Sequence, residues 1–305
     1  MAPAFCSRLA RSRKISPMGT ATEATHWLLI EDPAPWGTNA VEKAGWGHSV
    51  HDAIAEWTET MPHLRVQLIR RGLKTWDAAG SIRCIAVRTG PQPIVRKWAL
   101  GAYDDLAALE VPGTLRDSSS TTDPVPLVLT CVNGRRDACC AKWGRPVAQA
   151  AADAAPDAAW QTSHLGGHRF APTAVVLPDG THYGWLRPDD MADLMRAHRQ
   201  GHLYDIDRVR GAVYQPRPVQ AACLSLRRHL GTTALTAVRG VGLEENDEGW
   251  TVQVQAGGTT RAAHVWQEQC GPPFPHSCGS RKAKPERAWR VSWKDDEAAG
   301  LETRK

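Results

Sequence analysis

Apolar and polar positions fall into two successive runs of the same shape. His26–Glu31 (H-W-L-L-I-E) is a short, nearly continuous apolar run ending ahead of Pro33, the pattern of a buried strand. Pro33, Pro35 and Gly37 break it. Over Ser49–Thr58 the apolar residues Val50, Ile54 and Trp57 recur at spacings of four and three, which predicts a helix. Leu64–Arg70, Ile82–Arg88 and Ile94–Leu100 read as strands, and Asp104 caps a predicted helix over Asp105–Glu110. After an irregular lead-in over residues 1–25, the first half (residues 1–116) reads β-α-β-β-β-α.

Asp117–Pro126 (D-S-S-S-T-T-D-P-V-P) is polar and lacks apolar periodicity, and residues 117–124 are the expected linker. Pro126–Thr130 then reads as a compact buried strand. Asp137 is an N-cap candidate for a helix that starts at Cys139 and Cys140 and runs to about Ala155, with Pro146 a possible kink. Ala158–Ser163 is a predicted strand. Ala174–Leu177 and His182–Leu186 form a predicted hairpin around Pro178-Asp179-Gly180. Asp189 opens a helix with Met191, Leu194 and Met195 on its apolar face. Residues 125–201 therefore repeat the β-α-β-β-β-α order. The repetition suggests a duplicated fold, and the order suits two thioredoxin-like α/β halves. A C-terminal α+β extension over 202–278 follows, with a helix at Pro218–Leu230 and strands at Leu235–Glu244, Trp250–Gln255 and Arg261–Gln267. The charged residues 279–305 read as a flexible tail.

Composition narrows the class. The chain has 305 residues, 42% apolar and 23% charged, as in an ordinary soluble globular protein. Apolar runs long enough for a membrane span are absent, so no membrane is expected. The net charge of +5 is dispersed rather than gathered into a patch, and no nucleic-acid partner is expected. The basic start (Arg8, Arg11, Arg13, Lys14) lacks the apolar segment of a secretory signal. Eight cysteines are too sparse for a disulfide scaffold, and three of them cluster, which points to a reducing, cytoplasmic setting with a metal or redox site.

That cluster carries the chemistry. Cys131, Cys139, Cys140, His164 and His168 fall within residues 131–168. Cys131 ends a strand, a frequent place for ligands in open α/β sheets. Cys140 begins a helix, and the two stand as C-x8-C; His164 and His168 stand as H-x3-H around Gly166 and Gly167, a loop that permits close backbone approach. An iron–sulfur cluster takes four ligands, and imidazole can replace thiolate. Adjacent side chains rarely meet one ion, so one of Cys139 and Cys140 is a neighbour, and spacing favours Cys140 as the ligand. The helix start and Arg135, Arg136, Arg145 and Arg169 would offset the charge of an anionic cluster and ease reduction. Neutral imidazoles would place the potential above that of an all-cysteine ferredoxin, and a ligand histidine that loses its second proton on oxidation would couple reduction to proton uptake.

Two other readings stay open on the residues alone. A zinc-stapled binding module fits H-x3-H but not C-x8-C. A thiol oxidoreductase using Cys139 or Cys140 lacks a C-x-x-C motif. Cys270 and Cys278 bracket G-P-P-F-P-H-S; with the two prolines and His276 they could frame another metal site, they read rather as free cysteines in a turn, and one of them could approach the cluster. His48, His51 and His63 read as surface residues; Trp27, Trp36, Trp46, Trp57 and Trp76 as core. Arg281–Arg290 with Trp289 read as part of the solvated tail.

The chain resembles the sucrase/ferredoxin-like family. The resemblance rests on F-C-S-R-L-A with G-T-A and W-L-L-I-E near the start, G-R-R-D-A-C-C-A-K-W-G-R-P-V and S-H-L-G-G-H-R-F-A-P-T at the centre, and L-P-D-G-T-H-Y-G-W-L after it. It covers most of residues 5–200. It implies a thioredoxin-like [2Fe-2S] protein with two cysteine and two histidine ligands, carried onto Cys131, Cys140, His164 and His168. It implies electron transfer with unidentified donor and acceptor proteins rather than catalysis. A carboxylate pair suited to glycoside hydrolysis is not evident.

Overall fold

The computed structural model describes residues 5–71, 80–117, 125–280 and 282–294. The elements run α1 (Cys6–Ser12), β1 (His26–Glu31), α2 (His48–Thr60), β2 (Leu64–Arg70), β3 (Ile82–Arg88), β4 (Ile94–Leu100), α3 (Val111–Thr114), β5 (Leu127–Cys131), α4 (Ala138–Ala154), β6 (Ala159–Thr162), β7 (Ala174–Leu177), β8 (Thr181–Tyr183), α5 (Met191–Arg199), β9 (Val209–Ala212), α6 (Arg217–Leu230), β10 (Val238–Asn246), β11 (Gly249–Ala256), β12 (Thr259–Gln269), β13 (Phe274–Pro275), β14 (Ala283–Lys284) and β15 (Arg287–Trp293). The protein is mixed α/β, built on one large mixed sheet of nine strands in the order β4-β3-β1-β2-β6-β5-β7-β8-β9.

Each half contributes the same local pattern. β1 runs parallel to β2 and antiparallel to β3, and β5 runs parallel to β6 and antiparallel to β7. The halves meet where β2 pairs antiparallel with β6, through Ile69 opposite Thr162 and Arg70 opposite Gln161. Ser163 extends the joint: its N–H donates to the Leu68 carbonyl at 2.9 Å, and its Oγ accepts from the Leu68 N–H at 3.1 Å.

The apolar run of β1 is continuous because both its faces are covered. Trp27 and Leu29 enter one core and Leu28 and Ile30 the other, the period-two alternation of a strand between two layers. On α2 the buried residues are Val50, Ile54 and Trp57, the helical stripe that the sequence carries. α4 begins where Asp137 accepts a hydrogen bond from the Cys139 N–H at 3.0 Å, and it continues through Pro146 to Ala154. Gly144 lets this helix lie against β5: a Cβ there would strike the Cys131 carbonyl.

Several expectations are corrected. The helix expected over 105–110 is a 3-10 turn over Tyr103–Ala108, tightened by Asp105 Oδ2, which accepts from the Gly101 and Ala102 N–H groups at 2.9 Å. The strand expected at His182–Leu186 is Thr181–Tyr183, since the chain turns at Trp185 (φ 53°). The irregular lead-in contains α1. The boundary at 202 does not separate an extension from the sheet, because β9 pairs with β8 as the ninth strand. The tail from 279 is not flexible throughout. Within it β15 pairs with β12, with Ala288, Trp289 and Trp293 buried. Residues 118–124 of the expected linker, Trp76 and the end of the chain lie outside the described residues.

α6 packs against β9 and against the four-stranded antiparallel sheet β10-β11-β12-β15. The small core between them holds Cys223, Leu226, Val252, Val254, Ala263, Val265, Trp289 and Trp293. Trp289 also donates from Nε1 to the Gly19 carbonyl at 2.8 Å, which fastens this layer to the segment before β1. Among the described residues no helix is long and apolar enough to cross a membrane.

Candidate metal centre

Three of the four expected ligands converge between β5 and α4. Cys131 ends β5, Cys140 lies in the first turn of α4, and His164 follows β6. His164 Nδ1 is 3.8 Å from Cys131 Sγ and 3.6 Å from Cys140 Sγ, and the three ligand atoms lie within 4.8 Å of one another. Both cysteines are buried and His164 is half-buried. The fourth, His168, has its ring centroid 5.2 Å from that of His164. Its Nε2 faces Asp137 Oδ2 at 3.6 Å, and its buried Nδ1 has no hydrogen-bond partner among the described residues. A buried ring nitrogen without a partner costs free energy unless something is bound there. The opposite nitrogen, backed by a carboxylate, is the arrangement common to histidine ligands of metals.

Proton occupancy follows from this crowding. The hydrogen bond with Cys140 holds the Cys131 thiol well below its ordinary pKa; burial opposes this, and His164 adds to it. Cys140 is raised by the same shared hydrogen bond and by burial. Burial lowers the His168 pKa and Asp137 partly restores it. For Asp137, burial works upward, but the interaction with nearby His168 and the hydrogen bonds from Cys278 and Cys139 outweigh it, and its pKa is lowered. A soft cation bound by the two cysteines would displace their remaining thiol protons.

The loop carrying the histidines is held from three directions. Gly166 (φ 90°) and Gly167 (φ 70°) take backbone conformations unsuited to other residues, and a Cβ at Gly167 would press into the Arg210 guanidinium. From the first half, Arg65 Nη2 donates to the His164 carbonyl at 2.7 Å. Arg65 is half-buried, and desolvation of its guanidinium pulls its pKa down to about 10 against the opposing pull of Cys131. From β9, Arg210 (1% exposed) donates through Nη1 to the Gly166 carbonyl at 3.0 Å and to His182 Nε2 at 2.9 Å, and through Nε to Thr20 Oγ1 at 3.1 Å. Its Nη2 also donates to the Thr20 carbonyl.

The expected surroundings are placed differently. Arg135, Arg136 and Arg145 are exposed, and Arg169 pairs with Glu286 at 2.8 Å. The desolvated cations at the centre are Arg65 and Arg210. Sequence reasoning passed over both because each sits in a strand where its charge reads as solvated. Cys139 stands with Cys6 and Cys278, away from the other group. Burial raises the pKa of Cys270, whose Sγ lies 3.6 Å from the Glu286 carbonyl. His51 Nε2 lies 3.3 Å from the Ala44 carbonyl rather than with other histidines.

No curated protein and no solved structure matches the chain. The model of the sucrase/ferredoxin-like family matches residues 17–211, which include Cys131, Cys140, His164, His168 and Arg210 and exclude Cys6 and Cys278. With nearly two-thirds of its length and all the residues of the centre inside that match, the chain belongs to the sucrase/ferredoxin-like family.

Proposed function

We propose that the protein is an electron carrier whose redox centre is a [2Fe-2S] cluster held by Cys131, Cys140, His164 and His168. The observation that carries this is the meeting of Cys131, Cys140 and His164 within 4.8 Å, beside the unpartnered buried Nδ1 of His168. Two thiolates and two imidazoles form a donor set that suits iron in such a cluster. When bound, the cluster supplies one-electron exchange.

The chain's own residues shape that exchange. Two neutral imidazoles in place of thiolates leave the centre less negative, so its potential belongs in the bis-histidine range of roughly −150 to +300 mV. Arg65, half-buried, and Arg210, buried, favour the electron from nearby. Asp137 opposes it and holds the proton at His168 Nε2, which makes that atom the one whose protonation is linked to reduction. Electrons would pass through the histidine side, since His164 and His168 are half-buried while the cysteines are enclosed.

We read each half as thioredoxin-like, from its strand order and its parallel first pair. The second half carries the centre, and the first shields it through Arg65. The partners of this reading are donor and acceptor proteins that exchange single electrons. All eight cysteines are free, which suits a reducing, cytoplasmic compartment.

The test is an absorption and EPR spectrum of anaerobically purified full-length protein, with iron and acid-labile sulfide assays. A red-brown protein with equal iron and sulfide, lost in Cys140→Ala, is expected. Colourless protein with zinc bound by Cys131 and Cys140 would sink the proposal.

A further inference from the structure

The thiol of Cys139 belongs to a second group of soft donors. α1 supplies Cys6, the segment after β13 supplies Cys278, and the start of α4 supplies Cys139 and Asp137. The three sulfurs form a triangle: Cys6 to Cys139 3.6 Å, Cys139 to Cys278 3.1 Å, and Cys278 to Cys6 3.7 Å. Thiolates bound tetrahedrally to one zinc ion at about 2.3 Å stand about 3.8 Å apart, so these sulfurs need only small shifts to share an ion. Asp137 Oδ1 lies 3.9 Å from Cys6 Sγ, and all four ligand atoms lie within 4.8 Å of one another.

The surroundings are built for charged sulfur. Ser7 Oγ donates to Cys139 Sγ at 3.2 Å, and the Cys6 N–H donates to Cys278 Sγ at 3.5 Å. Asp137 Oδ2 accepts from Ser277 Oγ and from the Cys278 N–H, each at 2.9 Å, which fixes the carboxylate in place. Cys6 is 1% exposed and Cys139 0%, and Cys278 closes the site half-buried at its rim. Three thiols packed this closely leave at least one without a partner if two oxidise together, whereas a metal uses all three.

We propose that Cys6, Cys139, Cys278 and Asp137 form a closed, structural zinc site. Three thiolates and a carboxylate match the ligand chemistry and four-coordination of such sites, which leave no open position for substrate. Binding displaces the thiol protons. The ion joins three stretches far apart in sequence: α1, the first turn of α4 and the segment after β13. The same turn of α4 carries Cys140 toward the first centre, and Asp137 Oδ2 faces His168 Nε2, so the two sites adjoin at this turn. Cys6 and Cys278 lie outside the family match and are not among the ligands of the first centre.

The experiment measures zinc and iron per chain in full-length protein purified anaerobically and dialysed against a mild chelator. One zinc per chain is expected. Cys6→Ser and Cys278→Ser should each lower zinc at least about tenfold while iron and the visible spectrum persist. Cys140→Ala should lose iron and keep zinc; if it loses the zinc instead, the zinc sits at the first centre and this proposal falls. Should the serine variants fail to fold, zinc-edge X-ray absorption of the wild-type protein decides: a first shell dominated by sulfur at about 2.3 Å supports the site, and one dominated by nitrogen and oxygen overturns it. Zinc-free wild-type protein, unchanged zinc in both variants, or a Cys139–Cys278 disulfide in protein kept from oxygen also overturns it.

Discussion

Replacing Arg210 by methionine should weaken the fold and loosen the histidine loop together. Arg210 is the largest charged group in the interior, 1% exposed, and it serves the Gly166 carbonyl, the Thr20 carbonyl, Thr20 Oγ1 and His182 Nε2. The hydroxyl of Thr20 can rotate, but the two carbonyls and the ring nitrogen cannot. Each acceptor left unpaired costs about 1–3 kcal/mol. Relief from burying a guanidinium offsets several kcal/mol of that sum, leaving a net loss of about 2–4 kcal/mol. The assay is urea unfolding of Arg210→Met against wild type, where the midpoint should fall by roughly 1 M.

The pH dependence sharpens this test. Burial, then the Arg210 charge, holds the His182 pKa well below its ordinary value. A histidine depressed in the folded state contributes stability that is present above its unfolded pKa and lost as pH falls. The loss is about 1.4 kcal/mol per pH unit below about 6.5. Without Arg210, His182 takes up a proton more readily in the folded state, so the variant loses less on acidification. The gap between variant and wild type should therefore narrow between pH 7.5 and 5.5. A variant with the wild-type midpoint, or a gap that widens toward pH 5.5, refutes the reasoning.

Two further outcomes follow from the same geometry. His164→Cys or His168→Cys exchanges neutral imidazole for thiolate and should keep a cluster while lowering its potential by on the order of 100 mV, read by voltammetry; an unchanged potential would remove that histidine from the ligand set. Trp289→Ala empties the core under α6 and breaks the bond to the Gly19 carbonyl, so thermal unfolding should report a loss of about 3–5 kcal/mol, and a loss below about 1 kcal/mol would mean that β15 does not hold this layer.

The legible parts of the chain were those whose burial follows from local pattern. β2, β3, β4 and β7 stand at the residues their local patterns predicted, because short apolar-rich runs bounded by breakers need no distant information. Cys131, Cys140 and His164 were also legible, since strand end, helix start and glycine loop all lie within one βαβ stretch. α1 was missed because seven residues, two of them arginines, carry almost no apolar period. β9 was missed because it has only four residues and buries Arg210 beside Val209; the arginine looks solvated until its partners from Thr20, Gly166 and His182 are present. β15 was hidden by the arginines that alternate with Ala288, Trp289 and Val291. The Cys6–Cys139–Cys278 group rests on a contact between the two ends of the described chain, for which no spacing rule exists.

The joint between β2 and β6 has a further consequence. These strands hold the same place in their respective halves, and they pair antiparallel. Equivalent edges meeting head to tail are what a twofold axis produces, so the joint has the geometry of an isologous homodimer written into one polypeptide. A true dimer of the second half would carry two redox centres and two identical histidine loops. In the fused chain the first half has Glu31 at the end of β1, where the second half has Cys131 at the end of β5. The two halves thus differ in what they bring to the centre: the second carries the cysteines and histidines, and the first sends Arg65 across the joint to the His164 carbonyl.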